Sequence, residues 1–227
     1  ELPLALMNPG DLLLLPDPGY PDYLSGVSLG RVTYETFPLT AKNDFLPDLD
    51  AIPEETARRA KFIYINYPNN PTGAVATKAF YEKLVAWAKT YEVGVVSDLA
   101  YGALGYRGYE NPSFLSTPGA KDVGIEFYTF SKTFNMAGWR LAFAAGDDQM
   151  IEALNLIQDH LFVGIFPALQ EAGIAALLDP KSEEAVAQLN ATYDSRRDAF
   201  VQAAAKIGWK AFPSKGSFYA WMPVPEG

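Results

Sequence analysis

The 227-residue sequence contains no cysteine and a single histidine, His160. It can therefore form no disulfide, thiolate metal site or cysteine nucleophile, and a metal centre built from histidines is excluded. Basic residues are also few, with 18 Lys and Arg against 27 Asp and Glu and a net charge of -9. Because nucleic acids are bound by clusters of basic residues, this balance argues against a nucleic-acid partner.

Long apolar runs are missing as well, so no segment is predicted to span a membrane. The first residues do not show the pattern of a signal peptide, and we expect a soluble, cytoplasmic protein without a membrane partner. Hydrophobic residues make up 49% of the chain, enough for one large core and part of a second domain. The sequence begins at Glu1 inside an apolar segment and ends at Gly227 soon after a strand-like one. We interpret it as an internal fragment of a longer protein.

Apolar segments typical of buried strands alternate with amphipathic helices along the first 180 residues. This alternation indicates an α/β fold, with a mostly parallel central sheet and helices on both faces. The predicted strands are residues 11–15, 31–37, 62–65, 93–97, 124–130 and 141–145, and the predicted helices are residues 20–29, 48–60, 77–91, 148–161 and 167–178.

The pattern changes near Asp179-Pro180-Lys181. A long charged helix, 182–206, is predicted to follow, and then a pair of strands, 207–212 and 217–222. We therefore expect a large domain over residues 1–180 and the start of a smaller α+β domain over residues 181–227.

Lys132 comes two residues after the end of the predicted strand 124–130. A lysine at the end of a buried strand is partly desolvated, which disfavours its ammonium form. The neutral amine can attack a carbonyl and form a Schiff base. Arg140 comes eight residues later and offers a planar guanidinium suited to a phosphate. An amine that captures an aldehyde beside a phosphate-binding arginine suggests pyridoxal phosphate (PLP), although Lys132 alone could be an ordinary solvated loop lysine.

Two other predicted strands are also followed by polar residues that could contact the same ligand. Asn70 lies in the turn after strand 62–65, and Asp98 and Tyr101 follow strand 93–97. In open α/β sheets, ligands bind at the carboxyl ends of the strands. Taken singly, Asp98 could cap a helix, Asn70 could be a turn residue and Tyr101 a half-buried aromatic. Together with Lys132, they predict one site.

With these residues the sequence resembles the fold-type I PLP-dependent aminotransferases of class I/II. The motifs are Asn70-Pro71-Thr72-Gly73, Asp98-Leu99-Ala100-Tyr101, and Ser131-Lys132 with Gly138-Trp139-Arg140. The segments 17–23, 45–49, 66–70 and 170–177 are similar to the LL-diaminopimelate aminotransferase branch. The resemblance covers essentially the whole chain and implies the PLP-dependent transferase fold.

The resemblance implies catalytic roles for three residues. Lys132 would hold the cofactor as a Schiff base and then move a proton between the substrate α-carbon and the cofactor. Asp98 would face the pyridine nitrogen and favour its protonated form. Tyr101, together with Asn70, would hydrogen-bond the ring oxygen of the cofactor.

The resemblance also implies a phosphate-binding side formed by Thr129, Ser131 and Arg140, with Thr129 standing where the family more often has serine. Tyr20 would stack on the cofactor ring, although it could equally be a turn tyrosine packed on its own loop. Three further parts of the family's site are expected outside this sequence. They are a phosphate loop, an aromatic residue from a partner subunit and an arginine for the substrate α-carboxylate, so we expect the 227 residues alone not to transaminate.

The function implied is transfer of an amino group between an amino acid and a 2-oxo acid by a ping-pong route, in a homodimer. The same cofactor residues would serve another PLP reaction, such as that of a C–S β-lyase or a cyclising synthase. A non-catalytic PLP-fold domain of a regulator is the third alternative, because fold alone does not decide function. The particular substrates are not readable from the sequence.

Overall fold

The computed structural model describes residues 2–212 and 214–224 and is organised around a six-stranded sheet. The strands are β1 (Leu12–Asp17), β2 (Thr33–Pro38), β3 (Ala60–Asn66), β4 (Gly94–Asp98), β5 (Gly124–Thr129) and β6 (Ala142–Gly146). Their order in the sheet is β2-β1-β3-β4-β5-β6. All neighbouring pairs are parallel except β5 and β6, which are antiparallel at one edge. The predicted mostly parallel sheet is confirmed.

Eight α-helices accompany these strands in the described residues. They are α1 (Leu2–Leu6), α2 (Tyr23–Gly30), α3 (Glu54–Arg59), α4 (Lys78–Tyr91), α5 (Phe130–Thr133), α6 (Asp148–Ile157), α7 (Pro167–Leu178) and α8 (Ser182–Lys206). A π-helical turn, Gln158–Phe162, extends α6 and accounts for the longer helix expected there. No helix in the described part of the chain has the length and apolar character needed to cross a membrane.

Both faces of the sheet are covered, because successive side chains of a strand point to opposite faces. Leu14 packs with residues of α4 on one face, and Leu13 packs with residues of α1 and α2 on the other. Each is almost fully buried, with exposed fractions of 2% and 0%. The ends of the central strands are thereby held in place from both sides.

The helix predicted over residues 48–60 is wrong in its first half. A short 3-10 turn, Leu49–Ala51, is followed by Ile52 in an extended conformation, and α3 starts only at Glu54. Pro53 explains the break, because a proline disfavours the helical conformation of the residue before it. The predicted strand 124–130 is one residue too long, since Phe130 already begins α5.

The strand pair predicted over 207–212 and 217–222 does not form in the described part of these segments. One backbone hydrogen bond, from the N–H of Phe212 to the carbonyl of Trp221 at 2.7 Å, joins them. Both aromatic rings instead pack edge-on against Phe45. A two-stranded ribbon is only marginally stable alone, so this packing outweighs strand pairing. Glu1, Pro213 and the last three residues, including Gly227, lie outside the described residues.

Candidate active site

The carboxyl ends of β3, β4 and β5 meet at one edge of the sheet. Asn66, the last residue of β3, pairs in register with Asp98, the last residue of β4, and Asp98 pairs with Phe127 of β5. A cavity of about 370 Å³ opens at this edge, within the size range of small-molecule sites. It is lined by all eight residues selected from the sequence: Tyr20, Asn70, Asp98, Tyr101, Thr129, Ser131, Lys132 and Arg140.

Asp98 is the carboxylate of this cavity and is partly buried. Its Oδ2 accepts a 2.8 Å hydrogen bond from the hydroxyl of Tyr23, and its Oδ1 accepts a 3.1 Å bond from the N–H of Ala100. Burial raises the pKa of the Asp98 carboxyl, while these two hydrogen bonds act in the opposite direction. The two donors therefore favour the charged carboxylate of Asp98, whereas burial favours the neutral acid.

Asn66 is a buried residue of the site that the sequence analysis quoted without giving it a role. Its Nδ2 donates to the carbonyl of Asp98 at 2.9 Å, and its Oδ1 accepts the N–H of Asn70 at 2.7 Å. One amide therefore fixes the backbone at two of the predicted positions. Its place directly after the predicted strand 62–65 was the available signal.

The turn after β3 is held by its own side chains. Asn69 Oδ1 accepts from the N–H and from the hydroxyl of Thr72, at 3.1 and 2.7 Å. Gly73 has a φ of +73°, in the left-handed region that favours glycine. These contacts shape the turn, and Asn70 is the member of the turn that lines the cavity.

Lys132 lies on α5, immediately after β5, and is partly buried. Thr129 begins this short helix, because its Oγ1 accepts the N–H of Ser131 at 3.2 Å. The hydroxyls of Thr129 and Ser131 are 2.9 Å apart. The amine of Lys132 lies 5.6 Å from the centroid of the Phe218 ring, a distance typical of a cation–π contact.

Arg140 lines the same cavity as Thr129 and Ser131 and brings a positive charge to its wall. Its backbone is left-handed, with a φ of 55°, and its Nη1 donates to the carbonyl of Ala137 at 3.0 Å. The guanidinium is exposed and has donors beyond this single contact. One guanidinium with two hydroxyls forms a donor set suited to a phosphate.

Three tyrosines complete the wall. Tyr101 is buried, and burial raises the pKa of its phenol, so that the hydroxyl stays protonated. Its oxygen lies 3.4 Å from that of Tyr219, a wall residue that sequence analysis did not identify because it is distant in the chain. Tyr20 is 41% exposed, and its hydroxyl donates to Asp22 at 2.8 Å.

The chemistry of these donors fits PLP. The cavity offers an amine for the aldehyde, a carboxylate for the ring nitrogen, and a phenol with an amide for the ring oxygen. Arg140 and the two hydroxyls suit the phosphate. Among the described residues, no group of three His, Cys, Asp or Glu side chains could hold a metal ion.

Comparison with known proteins agrees with this chemistry. The chain is 55% identical to an L-glutamine–4-(methylsulfanyl)-2-oxobutanoate aminotransferase of Bacillus subtilis, over 100% of the chain and 56% of that protein. It is 49% identical to an LL-diaminopimelate aminotransferase of Moorella thermoacetica, over 100% of the chain and 58% of that protein. The chain therefore spans somewhat more than half of these relatives' length.

The fold is also that of a solved aminotransferase. The substrate-bound structure of BacF from Bacillus subtilis superposes with a TM-score of 0.94 at 47% identity, over 99% of this chain and 56% of that one. The family model for class I and II aminotransferases matches residues 1–227. The predicted resemblance is confirmed, and the chain belongs to the class I and II aminotransferases, a family of PLP-dependent enzymes.

Proposed function

We propose that the protein carrying this chain is an aminotransferase that moves an amino group between an amino acid and a 2-oxo acid. The observation that supports it most is the meeting of Lys132, Asp98 and Arg140 around one cavity. Bound PLP supplies an electron-withdrawing ring that stabilises negative charge at the substrate α-carbon. The amine of Lys132 would hold the aldehyde of the cofactor and, when free, would serve as the base and acid for the proton of the substrate α-carbon.

The other residues bind and orient. Asp98 would accept the N–H of the cofactor ring and favour the charged form of that nitrogen. Tyr101 and Asn70, which line the same cavity, would donate to the ring oxygen. Arg140, Ser131 and Thr129 would hold the phosphate, and Tyr20 would pack against the ring.

The substrate class follows from the family, and the individual substrates do not. The two relatives named above are described as acting on different acids, a methylsulfanyl-oxobutanoate and LL-diaminopimelate. We propose an amino acid and a 2-oxo acid as the substrate pair and leave the side chain open.

We also propose a homodimer, a cytoplasmic location and a boundary between two domains near residue 180. The homodimer is supported by membership of the family. Light scattering measures the mass in solution, and a fully active monomer would contradict the dimer. The location and the boundary stay predictions from the sequence.

Borohydride reduction followed by peptide mapping tests the proposal. The pyridoxyl group should be found on Lys132, and Lys132→Ala should abolish both labelling and turnover. Lys121→Ala, at an exposed lysine paired with Asp148, is the matched control and should change neither. Label on another lysine would refute the assignment of Lys132. Stoichiometric pyridoxamine phosphate supports transamination, whereas release of pyruvate and ammonia would support a β-lyase.

A further inference from the structure

Tyr23, to which sequence analysis gave no role, contacts the carboxylate of the site through its side chain. Its hydroxyl donates to Asp98 Oδ2 at 2.8 Å, although the two residues are 75 positions apart. The N–H of Ala100 donates to the other oxygen of the same carboxylate. Within the described residues, these two donors are the hydrogen-bond partners of the Asp98 side chain.

The two donors oppose the effect of burial on Asp98. Burial alone makes the neutral acid more favourable, whereas a hydrogen bond to the carboxylate favours the charged form. Of the two, the bond from Tyr23 has the larger effect. The pKa of the Tyr23 phenol is itself raised well above its ordinary value, by burial and by the charge of Asp98. Tyr23 therefore stays protonated and remains a donor.

The phenol is also fixed in place. The Tyr23 ring packs edge-on against Tyr20, with centroids 5.6 Å apart, and against Tyr64, with centroids 5.2 Å apart. Its backbone N–H donates to the carbonyl of Tyr20 at 3.2 Å. One short segment thus presents both the ring-packing tyrosine and the donor to Asp98.

We infer that Tyr23 is a positioning residue, whose hydroxyl orients the Asp98 carboxylate and keeps it ionised for the cofactor ring. A carboxylate oxygen can accept two hydrogen bonds, so each oxygen of Asp98 retains one acceptor position for the ring N–H. The inference rests on the proposed function, in which Asp98 faces the ring nitrogen.

The test measures PLP affinity by absorbance titration of the natural protein and its variants. Tyr23→Phe removes only the hydroxyl and should weaken PLP binding by roughly tenfold, as expected for one hydrogen bond to a charged group. Losing the donor also raises the pKa of Asp98, so the acid limb of the kcat/KM profile should move up by about one pH unit. Tyr64→Phe is the control, because Tyr64 contacts the Tyr23 ring but is not one of the two donors to Asp98 in the described structure.

A double-mutant cycle separates this role from simple packing. In an Asp98→Asn background, Tyr23→Phe should change PLP affinity less than about twofold, because the carboxylate it serves is gone. A full-sized effect in that background would overturn the inference. If Asp98→Asn lowers PLP affinity and Tyr23→Phe does not, the inference about Tyr23 is wrong while the proposed role of Asp98 stands. If Asp98→Asn itself leaves PLP affinity unchanged, the proposed role of Asp98 fails with it.

Discussion

The part of the chain up to Gly146 and the part that follows differ in how they are held. Leu13 and Ile63 in the sheet have exposed fractions of 0%. After Gly146, Ala204 is the one buried hydrophobic residue of the described chain, while Val163 and Leu178 are 87% and 75% exposed. The helices and strands of the first part pack around a buried core, whereas most side chains in the described second part are exposed.

The second part is attached by partly buried apolar residues of α6 and α7, which pack against the first part, and by polar and aromatic contacts of α8. The guanidinium of Arg197 on α8 lies 4.5 Å from the centroid of the Tyr106 ring and pairs with Asp194 and Asp198. Asn190 donates to the carbonyl of Ala103 at 2.8 Å. Of the cavity wall, this part supplies only Tyr219 among the described residues. The sheet and the turns that follow its strands therefore position nearly all the described residues of the cavity wall.

Substitutions in the two parts are expected to differ most in their effect on turnover. Asp98→Ala should lower kcat by about 100-fold or more, because it removes charge where it develops during the reaction. Asp98→Glu keeps the charge and should lose less. Asp179, which follows α7 in the second part, also accepts a backbone N–H, from Lys181, so Asp179→Ala is a matched control and should stay within about twofold. Equal activity of Asp98→Ala and Asp98→Glu would make Asp98 a structural cap.

Substitutions in the two parts should also differ in their effect on the free energy of unfolding. Ile63→Ala leaves a cavity in the core between the sheet and α4 and should lower the free energy of unfolding by about 2–5 kcal/mol. Leu178→Ala changes an exposed side chain and should stay within about 0.5 kcal/mol. Denaturant unfolding measures both. A similar loss for Leu178→Ala would show that α7 is covered in the natural protein, and the contrast between the two parts would then disappear.

Much of the first part was predictable, because its strands are apolar runs that end in polar residues. Asn70, Asp98 and Lys132 converge because the carboxyl ends of neighbouring parallel strands meet at one edge. Tyr23 was missed as a donor to Asp98, since that contact depends on how α2 packs on the sheet. The strands over 207–212 and 217–222 were wrong, because an alternating pattern does not reveal whether packing elsewhere is more favourable.

The contact between the two parts can be tested at a glycine. A Cβ at Gly73 would lie 2.6 Å from Ser214 Oγ, whereas one at Gly108 would meet nothing within 4 Å. Both have left-handed backbones, with φ of +73° and +76°, so Ala is strained at each by about 1–2 kcal/mol. Gly73→Ala should cost about 1–2 kcal/mol more than Gly108→Ala, because of the crowding against Ser214. Equal losses in the free energy of unfolding, measured with denaturant, would mean that Ser214 moves away from the added methyl group at little cost.

The smallest effect is expected at Glu126, a buried carboxylate of β5 that is anchored within the first part. Its Oε2 accepts from Ser97 Oγ at 2.9 Å and from the N–H of Phe114 at 2.8 Å. Burial raises the pKa of Glu126 above its ordinary value of 4.5, although these hydrogen bonds lower it. The folded protein therefore binds this proton more tightly than the unfolded chain does. That contribution to stability is complete below pH 4.5 and is lost as the pH rises through the raised value.

Glu126→Gln removes the titrating group and keeps a side chain of nearly the same size. Compared at the same pH, the wild type should lose stability relative to this variant as the pH rises from 4.5 through the raised pKa. The loss amounts to about 1.4 kcal/mol for each unit by which the pKa is raised. Unfolding measured across this window checks the sign. A difference that stays constant with pH would show that the hydrogen bonds fully offset burial, and the buried carboxylate of Glu126 would then not destabilise the fold.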